Sequence, residues 1–148
     1  MQNYKVIVDE DKTVRWYDDK DQLHRLDGPA IEYAKGYKEW YVEGQLHRLD
    51  GPAIECADGS KAWYVEGQRH RLDGPAIEQA DGGKEWYVEG KLHRLDGPAI
   101  ECADGDKEWW VKGELMTEEE FNEYTKPKPT CEGKVVEVDG IKYKLTAV

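Results

Sequence analysis

The chain has 148 residues, and its 32 acids against 21 bases leave a formal charge of −11. That length suits one domain with a usable core, and such acidity repels phosphate backbones, which excludes direct binding to nucleic acid and favours a basic partner. No apolar run approaches the roughly 20 residues of a membrane span and no basic-then-apolar leader opens the chain, so the sequence predicts a cytoplasmic protein without membrane contact.

Residues 1–17 read as a lead-in hairpin, Tyr4 to Val8 and Thr13 to Tyr17 around an Asp-Glu-Asp-Lys turn. Residues 18–116 are a repeat array. The phrase His-Arg-Leu-Asp-Gly-Pro-Ala-Ile-Glu starts at His24, His47, His70 and His93, a period of 23 residues. Repetition at a fixed short period means stacked units, each too small to bury its own core. In one unit, residues 52–56 and 61–65 are strands joined by the Asp58-Gly59 turn, and Glu66-Gly67 turns the chain into a connector. Thr117-Glu118-Glu119-Glu120 has the form of a capping box and predicts a helix over 117–125 that ends the array. Residues 126–130 (Lys-Pro-Lys-Pro-Thr) form a stiff spacer, and residues 131–148, with Asp139-Gly140 central, a final hairpin. The fold class is therefore mainly all-β: a single-domain antiparallel meander of hairpin repeats with a short C-terminal helix.

Two hairpin registers compete. A three-residue turn pairs Glu32 with Lys38, Glu55 with Lys61, Glu78 with Lys84 and Glu101 with Lys107, and puts each Ile on the face opposite its Trp. A two- or four-residue loop puts Ile31 with Trp40, Ile54 with Trp63, Ile77 with Trp86 and Ile100 with Trp109. Burying an Ile is worth about 1.5–3 kcal/mol and an exposed ion pair about 0.2–1 kcal/mol, so burial predicts the second register. It implies an apolar Ile–Trp–Val face, which a connector, the C-terminal hairpin or a second copy in a homodimer would have to cover. The opposite face would carry Tyr41, Tyr64, Tyr87 and Trp110 beside Glu32, Glu55, Glu78 and Glu101, and is the first candidate for protein binding.

The connectors are the second candidate. His24, Arg25, His47, Arg48, His70, Arg71, His93 and Arg94 recur there, with an Asp two residues after each Arg. Units about 9–10 Å apart hold adjacent His too far apart to share a metal, so a structural role is expected: Asp capping a turn, Arg pairing with carboxylates, His packing on the aromatic row. No cofactor and no metal are expected. Ser60 is replaced by Tyr37, Gly83 and Asp106 in sister units, which leaves no triad, and glycines serve turns rather than a phosphate loop. An enzyme is not predicted. Cys56, Cys102 and Cys131 are an odd set without a Cys-x-x-Cys pair and read as reduced thiols.

The pattern Trp63, Gly67, His70, Gly74, Gly82 resembles MORN repeats over residues 16–113, with the same period of 23; the Trp-Tyr-Val-Glu-Gly order departs from the family's Tyr-x-Gly-x-Trp. The His-Arg-x-Asp-Gly-Pro-Ala phrase, the Thr-Glu-Glu-Glu-Phe helix and the Lys-Val-Val-Glu-Val-Asp-Gly-Ile-Lys-Tyr tail resemble small repeat proteins of tailed bacteriophages. That resemblance implies a non-catalytic interaction protein, a phage-encoded inhibitor or modulator that binds a host protein such as a component of antiviral defence in the bacterial cytoplasm. Two alternatives stand beside it: an acidic mimic of DNA, and a sponge for a small anionic or nucleotide ligand at the His-Arg connectors.

Overall fold

The computed structural model describes residues 4–127, 135–138 and 141–144. Its turns dictate its strands. In the second unit the Cys56 N–H donates to the Ser60 carbonyl at 2.9 Å, the Gly59 N–H to the Cys56 carbonyl at 3.1 Å, and the Ser60 N–H to Asp58 Oδ1 at 2.8 Å. Gly59 has φ 95°, which glycine adopts without a Cβ penalty. This is a three-residue hairpin loop, a type I turn closed by a left-handed residue. The same pair of backbone bonds recurs at Tyr33–Tyr37, Gln79–Gly83 and Cys102–Asp106.

A tighter turn follows in every unit. Glu66 and Gly67 have φ 50° and 75°, the signature of a two-residue type I′ turn, and join Tyr64–Val65 to Gln68–Arg69. Each repeat therefore holds two hairpins rather than one hairpin and a plain connector. The strand expected over 61–65 breaks at Trp63, whose N–H donates to the Ala76 carbonyl of the next unit at 2.8 Å. Lys61–Ala62 stays in the main sheet while Tyr64–Val65 leaves it. The main sheet is an 11-stranded antiparallel meander from Lys5–Val8 to Glu114–Met116.

The register is the three-residue one, which corrects the expectation from burial. Ile31 lies opposite Glu39 and Glu32 opposite Lys38, and the later units pair Glu55 with Lys61, Glu78 with Lys84 and Glu101 with Lys107. Paired residues share a face and neighbours alternate, so Ile and Trp lie on opposite faces. On one face a row runs Glu32, Lys38, Glu55, Lys61, Glu78, Lys84, Glu101, Lys107. Beside it, Trp and Ala alternate across the sheet, the N–H groups of Trp16, Trp40, Trp63 and Trp86 meeting the Ala30, Ala53, Ala76 and Ala99 carbonyls at 2.8–2.9 Å. The other face carries Ile31, Glu39, Ile54, Ala62, Ile77, Glu85, Ile100 and Glu108.

The indoles do not need the Ile row for cover. Ala30, Ala53, Ala76 and Ala99 are 0% exposed, small side chains set between indoles, and the chain after each type I′ turn folds back over the Trp face. With the Trp covered locally, the Asp-Gly turn geometry sets the register. Among the described residues no Glu then lies directly opposite a Glu in the sheet.

The ends close the array. Helix α1 spans Glu118–Thr125 behind the N-cap Thr117, whose hydroxyl accepts from the Glu120 N–H while the Glu120 carboxylate accepts from the Thr117 N–H. The capping box read from the sequence is present. Helix α1 packs on strands Lys107–Val111 and Glu114–Met116 and buries Phe121. Residues 135–138 pair with 141–144 as the expected last hairpin; its Asp139-Gly140 turn, Cys131 and the spacer from residue 128 lie outside the described residues.

Candidate functional site: the connector row

Each connector is built around its Arg. Arg48 Nε donates to Asp50 Oδ1 at 2.9 Å, and its Nη1 donates to the Pro52 carbonyl at 3.1 Å and Glu55 Oε1 at 3.0 Å. The guanidinium lies 4.1 Å from the centre of the Trp40 ring, a cation–π stack. Arg25, Arg71 and Arg94 repeat this pattern on Trp16, Trp63 and Trp86. The backbone leaves room for it: a Cβ on Gly51 would sit 3.0 Å from Arg48 Cζ. Hydrogen bonds from the Arg side chains hold Asp27, Asp50, Asp73 and Asp96 below the usual carboxylate range. Each Arg is thus paired with two carboxylates, as the sequence suggested.

The histidines have a task beside the expected aromatic packing, of which the Tyr4–His24 ring contact at 6.2 Å is one instance. His47 Nδ1 accepts the backbone N–H of Glu66 at 3.1 Å, and His24, His70 and His93 do the same for Glu43, Glu89 and Lys112 at 3.0–3.1 Å. Those donors are the first residues of the type I′ turns, where a side-chain-bearing residue is held at positive φ. A ring that accepts at Nδ1 carries its proton on Nε2. Each His therefore pins the strained turn of the next unit, and the four of them stitch the stack together. Among the described residues no cluster of three or more His, Cys, Asp or Glu could hold a metal ion.

Between successive connectors lie three sister clefts of about 610, 620 and 590 Å³. The middle one has Trp63 and Val65 among its lining, with Leu49 and Leu72 from the two flanking connectors. These leucines are the residues that sequence reading missed. Leu26, Leu49, Leu72 and Leu95 are 63%, 80%, 80% and 53% exposed, an apolar row that recurs at one position of every unit. A signal existed: each Leu stands before Asp-Gly-Pro, in a segment that turns away from any partner strand.

The eight residues expected to share one protein-binding face are divided. Glu32, Glu55, Glu78 and Glu101 lie on the Trp face, each bonded to a connector Arg. Trp110 lies on the opposite face, where its Nε1 donates to Glu108 Oε2 at 2.7 Å. Tyr87 likewise donates to Glu85 Oε2 at 2.9 Å. Burial, aided by Glu39, pushes the Tyr41 hydroxyl well above the usual phenol range, and burial with Glu85 raises Tyr87. One unit departs from its sisters here. Arg69, where other units have Leu23, Leu46 and Leu92, donates to the Tyr64 and Tyr87 hydroxyls at 3.2 Å each.

Cys56 is half-buried and Cys102 exposed, and both are free thiols. Burial pushes the Cys56 thiol up, and Asp58 adds to the shift, which makes it a poorer nucleophile. No helix among the described residues is long and apolar enough to cross a membrane.

No known protein-family model matches this chain, and neither does any curated protein.

Proposed function

We propose that this chain is a non-catalytic protein-binding module of MORN-like repeats, and that its partner is a host protein that a phage-encoded inhibitor would target. The observation that carries the binding reading is the row Leu26, Leu49, Leu72, Leu95, exposed at the same position of every unit. Burying one such Leu is worth about 1.5–3 kcal/mol, so a soluble chain that leaves four outside gives up stability unless a partner covers them. The phage setting rests on the resemblance of the repeat phrase and of the C-terminal tail, and a cytoplasmic location follows from that setting.

The rival readings find less support. A mimic of DNA needs a line of like charges, whereas the acid row alternates with lysines. A sponge for anions needs available cations at the connectors, whereas each Arg there carries two carboxylates. The test is capture from bacterial lysate on immobilised protein, competed with soluble protein. Competable retention of a defined host protein is expected. Retention no better than on an unrelated acidic protein of equal charge sinks the reading.

A further inference from the structure

The cleft row has a pitch, and the pitch selects its occupant. The main sheet contributes two strands per unit, so successive clefts recur at about 9.4–9.8 Å. A polyproline II helix returns to the same face every three residues, about 9.3 Å. An α-helix places side chains seven residues apart on one stripe at about 10.5 Å, and drifts by roughly 1 Å per cleft. An indole at each cleft is the surface that polyproline II segments use in aromatic-lined grooves.

The last unit indicates that apolar groups belong in these clefts. There helix α1 takes the place of a further connector, Val111 falls to 2% exposed and Leu95 to 53%, whereas Leu49 and Leu72 are both 80% exposed. Leu26, at the other end of the row, is 63% exposed, so both end leucines are less open than the two interior ones. Each rim carries a carboxylate open to a cation: the side chains of Asp50 and Asp73 are 85% exposed while each accepts from its connector Arg, and the molecule as a whole has a net charge of −11.

Resting on the binding-module reading, we propose that the Leu–Trp clefts take a basic, proline-rich segment of the partner in polyproline II form, with an apolar side chain at every third residue entering successive clefts and Lys or Arg beside the Asp rims. The probe is the peptide acetyl-(Pro-Leu-Lys)4-amide, titrated against the whole protein while tryptophan fluorescence and the Trp indole N–H and Leu methyl resonances are followed. Controls are a scrambled peptide of the same composition, acetyl-(Pro-Leu-Glu)4-amide, and a helical peptide with Leu at seven-residue spacing. Saturable binding is expected for the first peptide, at least tenfold weaker for each control, weaker in high salt, and reduced at least tenfold in the Leu49→Ser/Leu72→Ser variant. Those leucines are exposed, so the variant keeps the fold, checked by its circular dichroism.

Equal binding of the scrambled peptide, stronger binding of the helical one, an unaffected double variant, or no binding at all overturns the proposal. Self-association of the protein that the double variant abolishes would assign the clefts to a second copy and overturn it equally. Lysate capture separates this failure from that of the broader reading. A host protein retained alike by wild type and the double variant leaves the module a binder with its site elsewhere; no retained protein removes the binding reading itself.

Discussion

The interior of the array and its C-terminal end are made of nearly the same residues and differ in shape. In the interior, the stretch Lys61–Val65 divides at Trp63, because the Trp63 N–H crosses to the Ala76 carbonyl of the following unit. At the end, the equivalent stretch Lys107–Val111 runs unbroken and pairs with Glu114–Met116. The phrase His-Arg-Leu-Asp-Gly-Pro-Ala does not recur after His93, and among the described residues Trp109 pairs instead with Met116. Helix α1 packs on Lys107–Val111 there, and Val111 is 2% exposed. The shape of a unit is thus set by what its neighbour offers, as expected where each repeat touches only the next.

The comparison can be broken most strongly at Phe121. Phe121→Ala should cost about 3 kcal/mol, with hydrogen exchange accelerated over 107–125 and little changed in the interior; equal loss over all units would mean that the end holds up the whole stack. Ala76→Leu, placed between two indoles with no space, should cost about 1–3 kcal/mol. Thermal unfolding would read it, and no loss would show that the Trp–Ala row is loosely packed. His70→Ala, which removes the acceptor of the Glu89 N–H, should cost about 1 kcal/mol and raise exchange at the turn after it. Glu66→Gly should stabilise by about 0.5–1 kcal/mol, since Glu66 pays for a left-handed conformation that Gly adopts without strain.

The smallest effect is that of pH, and it sharpens the role of the connectors. The connector Asp carboxyls titrate lower in the folded chain than in the unfolded one. Their contribution is therefore present above the unfolded pKa, about 3.9, and fades as pH falls below it. The Tyr37 and Tyr41 phenols are shifted upward by burial and Glu39, so their contribution is complete below about pH 10 and fades as pH rises. Denaturant midpoints that fall as pH drops below about 4 and again as it rises above about 10 are the expected outcome; a midpoint at pH 3 equal to that at pH 5 would mean that the Arg–Asp pairs hold nothing.

Much of this protein was legible in its residues. The repeat phrase announced the stack, Asp-Gly and Glu-Gly marked both turns, and Thr117 with Glu120 marked the helix start. The His-Arg connectors stood out as a candidate site. Their exposed leucines did not, since a lone Leu reads as core until its neighbours in space are known. Arg69 was visible only as a departure from Leu in sister units, and its reach to two Tyr hydroxyls needed coordinates.

By itself the sequence determined the local elements, because turn chemistry and capping act over a few residues and carry their own energetics. Only the tertiary structure decided which side chains share a face. That choice is a parity of one residue along the strand, and it turned on the connector folding back over its own Trp, a contact that no count of apolar residues contains.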